Sequence, residues 1–359
     1  MRRRSKTSAV ARTANSPFLL FFNENDMNFK QKLTLAGVFI ALTASNLVAA
    51  QSSLLNASYD VAREFYKDYN GAFTAHYKKT TGKDVKIDQA HGGSSAQARA
   101  VNDGLDADVV TMNTTTDVDF LASTGVVAKD WAKRFPNNAA PTTSTMLFLT
   151  RNGNPKNIKD WDDLVKPGLQ VIVVNPKTGG NGRMAYLAAW GYVRAKGGTD
   201  AQAAEFVAKL YKNVPVLAKG GRDATTIFLQ RNIGDVLVTF ESEVVSVDRE
   251  FGAGKVDAIH PSVSIVAENP VAVVERTVAK KGTSELAKTY LNYLYSEEGQ
   301  EIAAKHGLRP SSAAVLKKYS SVFKPIQLFA VSDYFGSLAE AQKVHFNDGG
   351  QFDKLYTVK

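Results

Sequence analysis

Residues 173–192 read VVNPKTGGNGRMAYLAAWGY, and Gly179, Gly180 and Gly182 strip side chains from a turn between a β-branched run and a helical pattern. Amides at a helix start lack partners within the helix and together carry about half a positive charge, so such a bare turn suits an anion. No lysine follows these glycines, which sets the turn apart from a nucleotide-binding P-loop. The same passage from strand through a Gly/Ser/Asp turn to helix recurs at Ser58-Tyr59-Asp60, at His91-Gly92-Gly93-Ser94 and at Gly220-Gly221-Arg222. Taken singly, each is a capped helix and nothing more. Aimed into one cleft, they would cage an anion without any lysine.

Other chemistries find little support. Gly180-Asn181-Gly182-Arg183-Met184-Ala185 fits G-x-G-x-x-A with Asp200 downstream, a dinucleotide fingerprint. It lies deep in the chain, and a secreted protein meets little such cofactor, so a secreted dinucleotide-dependent enzyme is the minor reading. His76, His91, His260, His306 and His345 are scattered without an i, i+4 pair, and cysteine is absent. That leaves no metal-ligand pattern, disulfide or thiol chemistry. No G-x-S-x-G elbow is present. No catalytic residue, metal or cofactor is expected. His91 reads as a structural hydrogen-bonding group, and Trp131, Trp161 and Trp190 read as core.

The turns need strands and helices in alternation, which argues an α/β fold. Residues 54–58, 85–89, 108–112, 145–150, 169–175, 235–240, 265–267 and 271–275 read as strands. Val61, Phe65, Tyr69 and Phe73 recur every four residues and predict an amphipathic helix from near Asp60. Another helix opens at Ser94, and a long one is expected over 285–306, stopped by Gly307 and Pro310.

Ahead of these elements, Lys30 and Lys32 precede a short apolar run at 33–44 and a small-residue site at Val48-Ala49-Ala50. This predicts a secretory signal with a mature start at Gln51, Met27 being the true start and residues 1–26 upstream reading frame. Residues 1–50 carry seven of the 44 Lys/Arg and two of the 35 Asp/Glu, leaving 37 basic and 33 acidic side chains, a net of +4. No basic block remains for nucleic acid. The 309 residues from Gln51 onward suffice for two lobes with their own cores. They hold three methionines, Met112, Met146 and Met184, a sulfur-poor composition that predicts expression under sulfur limitation.

Asn56-Ala57-Ser58-Tyr59-Asp60, Ala90-His91-Gly92-Gly93-Ser94, Asn154-Pro155-Lys156-Asn157-Ile158, Asn175-Pro176-Lys177-Thr178 and Tyr186-Leu187-Ala188-Ala189-Trp190-Gly191 are similar to segments of the periplasmic sulfate- and thiosulfate-binding proteins. Gly234-Asp235-Val236-Leu237 and Ser296-Glu297-Glu298-Gly299-Gln300-Glu301-Ile302-Ala303 follow in the same order, so the resemblance covers essentially all of 51–359. It implies a two-lobed type II clamshell with the ligand cleft between the lobes. It implies a soluble, monomeric periplasmic receptor that delivers sulfate or thiosulfate to the permease of an ATP-driven (ABC) importer, without catalysis. The expected lobes are 51–143 with 270–310, and 144–269 with 311–359.

Carried over by the resemblance, Asp60 and Ser94 offer main-chain amides from the first lobe, and Gly180 offers one from the second. Asn181 stands where the family often has glycine, and Gly221 where sulfate receptors have alanine; both keep the amide. Gly179 replaces a serine whose hydroxyl binds the anion, and Phe240 replaces a tryptophan whose indole N–H does so. Each lost hydrogen bond to a charged group costs about 1.5–3 kcal/mol. Thr178, Ser95 or a water are the candidate replacements. The Phe240-Glu241-Ser242-Glu243 stretch looks more like the thiosulfate branch, whose ligand carries a terminal sulfur that accepts hydrogen bonds poorly. Molybdate and phosphate are the alternatives within the receptor class. Space left by Gly179 would favour a larger anion, and phosphate would need an acceptor such as Asp60 turned into the cleft. Asp60 is instead expected to keep its side chain at the helix start, and Arg222 to pair with a carboxylate.

Overall fold

The computed structural model describes residues 52–356. The expected signal segment and the start at Met27 lie outside the described residues.

In chain order, β1 (Ser52–Tyr59) leads through a short 3-10 turn at Asp60–Ala62 into α1 (Arg63–Thr81). Then come β2 (Val85–Gly92), α2 (Ser94–Asn102), β3 (Val109–Thr111) and α3 (Thr115–Ser123). The chain crosses through β4 (Thr142–Ser144) to β5 (Met146–Arg151), β6 (Val171–Val174), α4 (Gly180–Ala195), α5 (Asp200–Lys212), β7 (Leu217–Ala218) and α6 (Gly221–Thr225). Next are β8 (Val236–Phe240), α7 (Ser242–Phe251), β9 (Val256–Ile259), β10 (Val263–Ile265), β11 (Ala267–Asn269) and β12 (Val271–Val273). The last stretch holds α8 (Glu275–Lys281), α9 (Ser284–Tyr293), α10 (Glu297–Lys305), β13 (Arg309–Pro310), α11 (Ala313–Lys318) and β14 (Gln327–Phe329), followed by short helical turns.

Two sheets organise these elements. The first runs β12-β3-β1-β2, with β1 parallel to both neighbours and β12 antiparallel to β3. The second runs β7-β6-β8-β5-β9, with β6 parallel to β7 and β8, and β5 antiparallel to β8 and β9. Helices cover both faces of the second sheet, so its strands alternate between two apolar clusters. Val236 and Val238 face a core that holds Phe148, Trp161 and Tyr186; Leu237 faces one that holds Leu149, Ile172 and Phe228. The first sheet has its own core around Leu54, Tyr69, Phe73, Val109, Val271 and Tyr290. α1 buries Phe65, Tyr69 and Phe73 there, as their four-residue spacing predicts, while Val61 lies in the 3-10 turn ahead of it.

A third, antiparallel sheet, β11-β4-β13, joins the two halves, with Asn269 and Pro310 both opposite Thr142. Phe323 packs with Ala304 and Val315, whereas β14 pairs with β10 and Phe329, Phe346 and Phe352 enter the second core.

Two expectations are corrected. The single helix over 285–306 is two helices. The Ser296 hydroxyl accepts the Gly299 amide at 3.0 Å and caps α10, and a Cβ at Gly299 would lie 2.2 Å from the Tyr293 carbonyl oxygen. The chain therefore turns where the apolar period runs on. The single strand at 265–267 is likewise the junction of β10 and β11, which belong to different sheets.

Candidate functional site

Parallel pairing sends successive turns out of one edge of a sheet. In the first sheet Tyr59 is opposite Gly92, and Ser58 opposite Thr111, so the turns carrying Asp60, Gly93-Ser94 and Asn113-Thr114 leave together. In the second sheet Val174 is opposite Ala218, and Ile172 opposite Leu237, so the turns carrying Gly179-Gly180-Asn181, Gly220-Gly221 and Glu241 do the same.

These two edges meet. The Arg222 amide donates to Asp60 Oδ2 at 3.4 Å, while Asp60 Oδ1 accepts the Val61 amide at 3.0 Å. A Cβ placed on Gly221 would lie 2.8 Å from Val61 Cγ2, and one on Gly180 would lie 2.2 Å from Asn113 Oδ1. One on Gly93 would lie 3.6 Å from the Thr178 carbonyl oxygen. With glycine at 180 and 221 the two halves approach without displacing the Asn113 and Val61 side chains. Beside the turns, Arg183 reaches from α4 to Ser95 Oγ at 2.7 Å and to Asp117 Oδ1 at 3.1 Å, both ends of the ion pair being buried.

The carboxylates here are perturbed. Burial pushes the Asp60 carboxyl up, and the Arg222 and Val61 amides pull it part of the way back. Burial pushes Glu243 up to about 7 against the Thr225 hydroxyl and the Arg222 charge, with Asp60 and Glu250 adding to the rise. Arg222 pairs with Glu250.

The sequence-derived residues therefore distribute as follows. Asp60, Gly180, Asn181 and Gly221 line the meeting edges, and Asp60 spans both expected roles, since one oxygen stays at its own helix start while the other faces the opposite half. Ser94 is buried at the start of α2; its hydroxyl accepts the Asn113 amide at 3.3 Å. Phe240 ends β8 packed in the second core, and the alternate residue, Thr239, accepts from Asn181 Nδ2 at 3.1 Å. Gly179 caps α4, but the space expected beside it is not open, because a Cβ there would lie 2.9 Å from Val174 Cγ1. Thr178 and Ser95 are also poor replacement donors. The Thr178 hydroxyl lies 3.2 Å from the Asn175 and 3.1 Å from the Lys219 carbonyl oxygens, and Ser95 Oγ donates to Asp117 at 2.8 Å. His91 bonds the Tyr59 carbonyl and the Gln89 side chain.

Asn113, Asp117 and Arg183 were not singled out from sequence. Asn113-Thr114-Thr115 follows β3 in the same strand–turn–helix order as the other turns and was a readable signal; the Arg183–Asp117 pair, 66 residues apart, was not. The dinucleotide alternative fits poorly. Gly182 lets α4 approach within 2.4 Å of the Val174 oxygen, measured from a Cβ, so it serves helix–strand packing. Asp200 binds Trp190 Nε1 at 3.1 Å and Arg194 at 2.6 Å, about 15 Å along α4 from the turn. Among the described residues no group of three or more His, Asp or Glu is arranged to hold a metal, and no helix is long and apolar enough to cross a membrane.

Residues 48–309 match the family model described as bacterial extracellular solute-binding protein. The chain belongs to that family. This solute-binding protein is 53% identical over 330 residues to a thiosulfate-binding protein of Pseudomonas aeruginosa, covering 92% of this chain and 98% of that one. It is 50% identical over 320 residues to a sulfate-binding protein of Escherichia coli, covering 89% and 97%. Among solved structures, the sulfate-binding protein SubI from Mycobacterium tuberculosis H37Rv superposes with a TM-score of 0.75 at 30% identity, covering 82% of this chain and 99% of that one. The solute-binding protein is thus an α/β molecule of two lobes.

Proposed function

We propose that this protein is an extracytoplasmic receptor for sulfate or thiosulfate. The amides of Asp60 and Ser94 from one lobe, and of Gly180, Asn181 and Gly221 from the other, form a cage of donors around the dianion, the Asp60 carboxylate being occupied by the Val61 and Arg222 amides. The carrying observation is the contact between the two carboxyl edges, made directly by the Arg222 amide and Asp60. The relatives named for sulfate and thiosulfate binding support the choice of ligand. Both anions are unprotonated near neutrality and need no acceptor, whereas phosphate needs one.

We further propose that the receptor works in the periplasm as a monomer after removal of the signal segment at Ala50, hands its anion to a membrane permease of an ABC importer, and catalyses no reaction. The lobes of this reading are 51–143 with 270–310, and 144–269 with 311–359. Within the ligand class thiosulfate is favoured. Residue 179 has no hydroxyl and residue 240 no indole N–H, and a terminal sulfur demands fewer donors than a fourth oxygen.

Calorimetric titration of ligand-stripped protein with sulfate, thiosulfate, phosphate and molybdate tests this. The expected result is binding of the sulfur oxyanions, thiosulfate the tighter, with phosphate excluded. Absence of binding by every tetrahedral anion would falsify the proposal.

A further inference from the structure

Behind Gly221 lies a carboxyl group that the anion cage leaves unused. Glu243 on α7 is fully buried, and its Oε1 has no hydrogen-bond partner within the protein. Its Oε2 lies 2.7 Å from the Thr225 hydroxyl, which in turn lies 3.2 Å from the Gly221 carbonyl oxygen. A hydroxyl has one hydrogen and two lone pairs. If Glu243 were ionised, it would take that hydrogen, leave the Gly221 oxygen without it, and strand Oε1 as a buried charge with no donor. If Glu243 carries a proton, it donates to Thr225, and Thr225 donates on to Gly221, so both short approaches are hydrogen bonds.

The surrounding charges favour the neutral form. Arg222 on α6 is the one cation facing Glu243 among the described groups that act on it, and its guanidinium is engaged with Glu250 on α7. Asp60, from the turn after β1, and Glu250 add negative charge; the Tyr59 hydroxyl on β1 is the other titratable neighbour. A doubly negative guest at the Gly221 amide would add more.

We propose that Glu243 is a neutral carboxylic acid which positions the Gly221 turn through Thr225, and that its ionisation weakens anion binding. The proposal rests on the reading that the Gly221 amide touches the anion. Burial raising this carboxyl to about 7 agrees with it in direction. A bound dianion raises it further, so binding near and above that pH draws in a proton.

The test is calorimetric titration with thiosulfate from pH 5.5 to 9 at fixed ionic strength, in two buffers of different ionisation enthalpy. Thiosulfate itself does not titrate in this range. The expected result is a several-fold loss of affinity between pH 6 and 9, with fractional proton uptake at pH 8, and a flattened profile in Glu243→Gln. A pH-independent affinity without proton uptake overturns the proposal, as does an unchanged slope in Glu243→Gln. Should that variant not fold, Thr225→Val serves. Loss of the hydroxyl through which the acid reaches Gly221 should flatten the profile in the same way, and an unchanged slope counts against the role. Binding at constant affinity sinks this proposal alone; no binding at any pH sinks the receptor reading instead.

Discussion

A methyl group on Gly182 would land 2.4 Å from the Val174 carbonyl oxygen and 2.8 Å from the Pro176 nitrogen, so the backbone of the turn before α4 is itself the obstacle. Gly182→Ala should therefore cost about 1–3 kcal/mol of stability, read as a lower denaturant midpoint with unchanged slope. Glu243 makes a second prediction for the ligand-free protein. Its folded-state pKa is raised from 4.5 to about 7, so the native state holds the extra proton. That contribution is fully present below about pH 4.5 and is lost as pH rises through 7, on the order of 3 kcal/mol across the window. Melting temperature should fall between pH 5 and 8 in the wild type and fall less in Glu243→Gln. At this scale the glycine-rich helix starts were legible because their grammar is local. Arg183 with Asp117, and Glu243 with Thr225, were not, because each partnership exists only after distant turns have been folded together. The placement of Phe240 was decided by strand alternation, which puts Thr239 rather than its neighbour beside Asn181.

The element that presents Gly180 and Asn181 is α4, and the C-terminal segment grips it along its length. Phe329 lies over Gly191, where a Cβ would come within 2.1 Å of the ring. His345 bonds the Tyr186 hydroxyl at 3.1 Å and packs edge-on against Trp190. Near the cleft, Lys177 Nζ reaches Asp353 at 2.8 Å and Asp348 at 3.4 Å, two residues before the glycines. These are largely exposed pairs, so Asp353→Asn should weaken thiosulfate binding by no more than about threefold. No loss, or no coupling in a double-mutant cycle with Lys177→Met, would show that the contact does not steady the turn. His345 is held down to about 4 by burial, so its contribution to stability is present above about pH 6.5 and lost as pH falls through 4. Melting temperature should drop over that interval, and His345→Gln should blunt the drop. Strand and helix types were legible from period and turn residues. The break between α9 and α10 was hidden because Leu291, Leu294 and Ile302 continue an apolar pattern across it, and the cap at Ser296 outweighs that pattern.

Across the described residues, three passages of chain share one ladder, β11-β4-β13, which joins the halves. Arg309, beside Pro310 in that sheet, grips Glu241 with two hydrogen bonds of 2.6 and 2.9 Å and ties the third passage to the turn after β8. Rotation about this sheet would part Arg183 from Asp117 and Arg222 from Asp60 together. The expected reading is a smaller radius of gyration in solution scattering when thiosulfate is added, with Asp117→Asn shifting the ligand-free protein towards the larger value. The same three crossings scatter each core along the chain. Leu54 packs in a cluster that is completed by Leu291 and Leu308, and Phe148 in one completed by Phe329 and Phe352. A polypeptide emerging from the ribosome can therefore finish the first only after Leu308 and the second only after Phe352. Nascent chains stalled near residue 260 should stay open to protease, because both cores still lack members that come later in the chain.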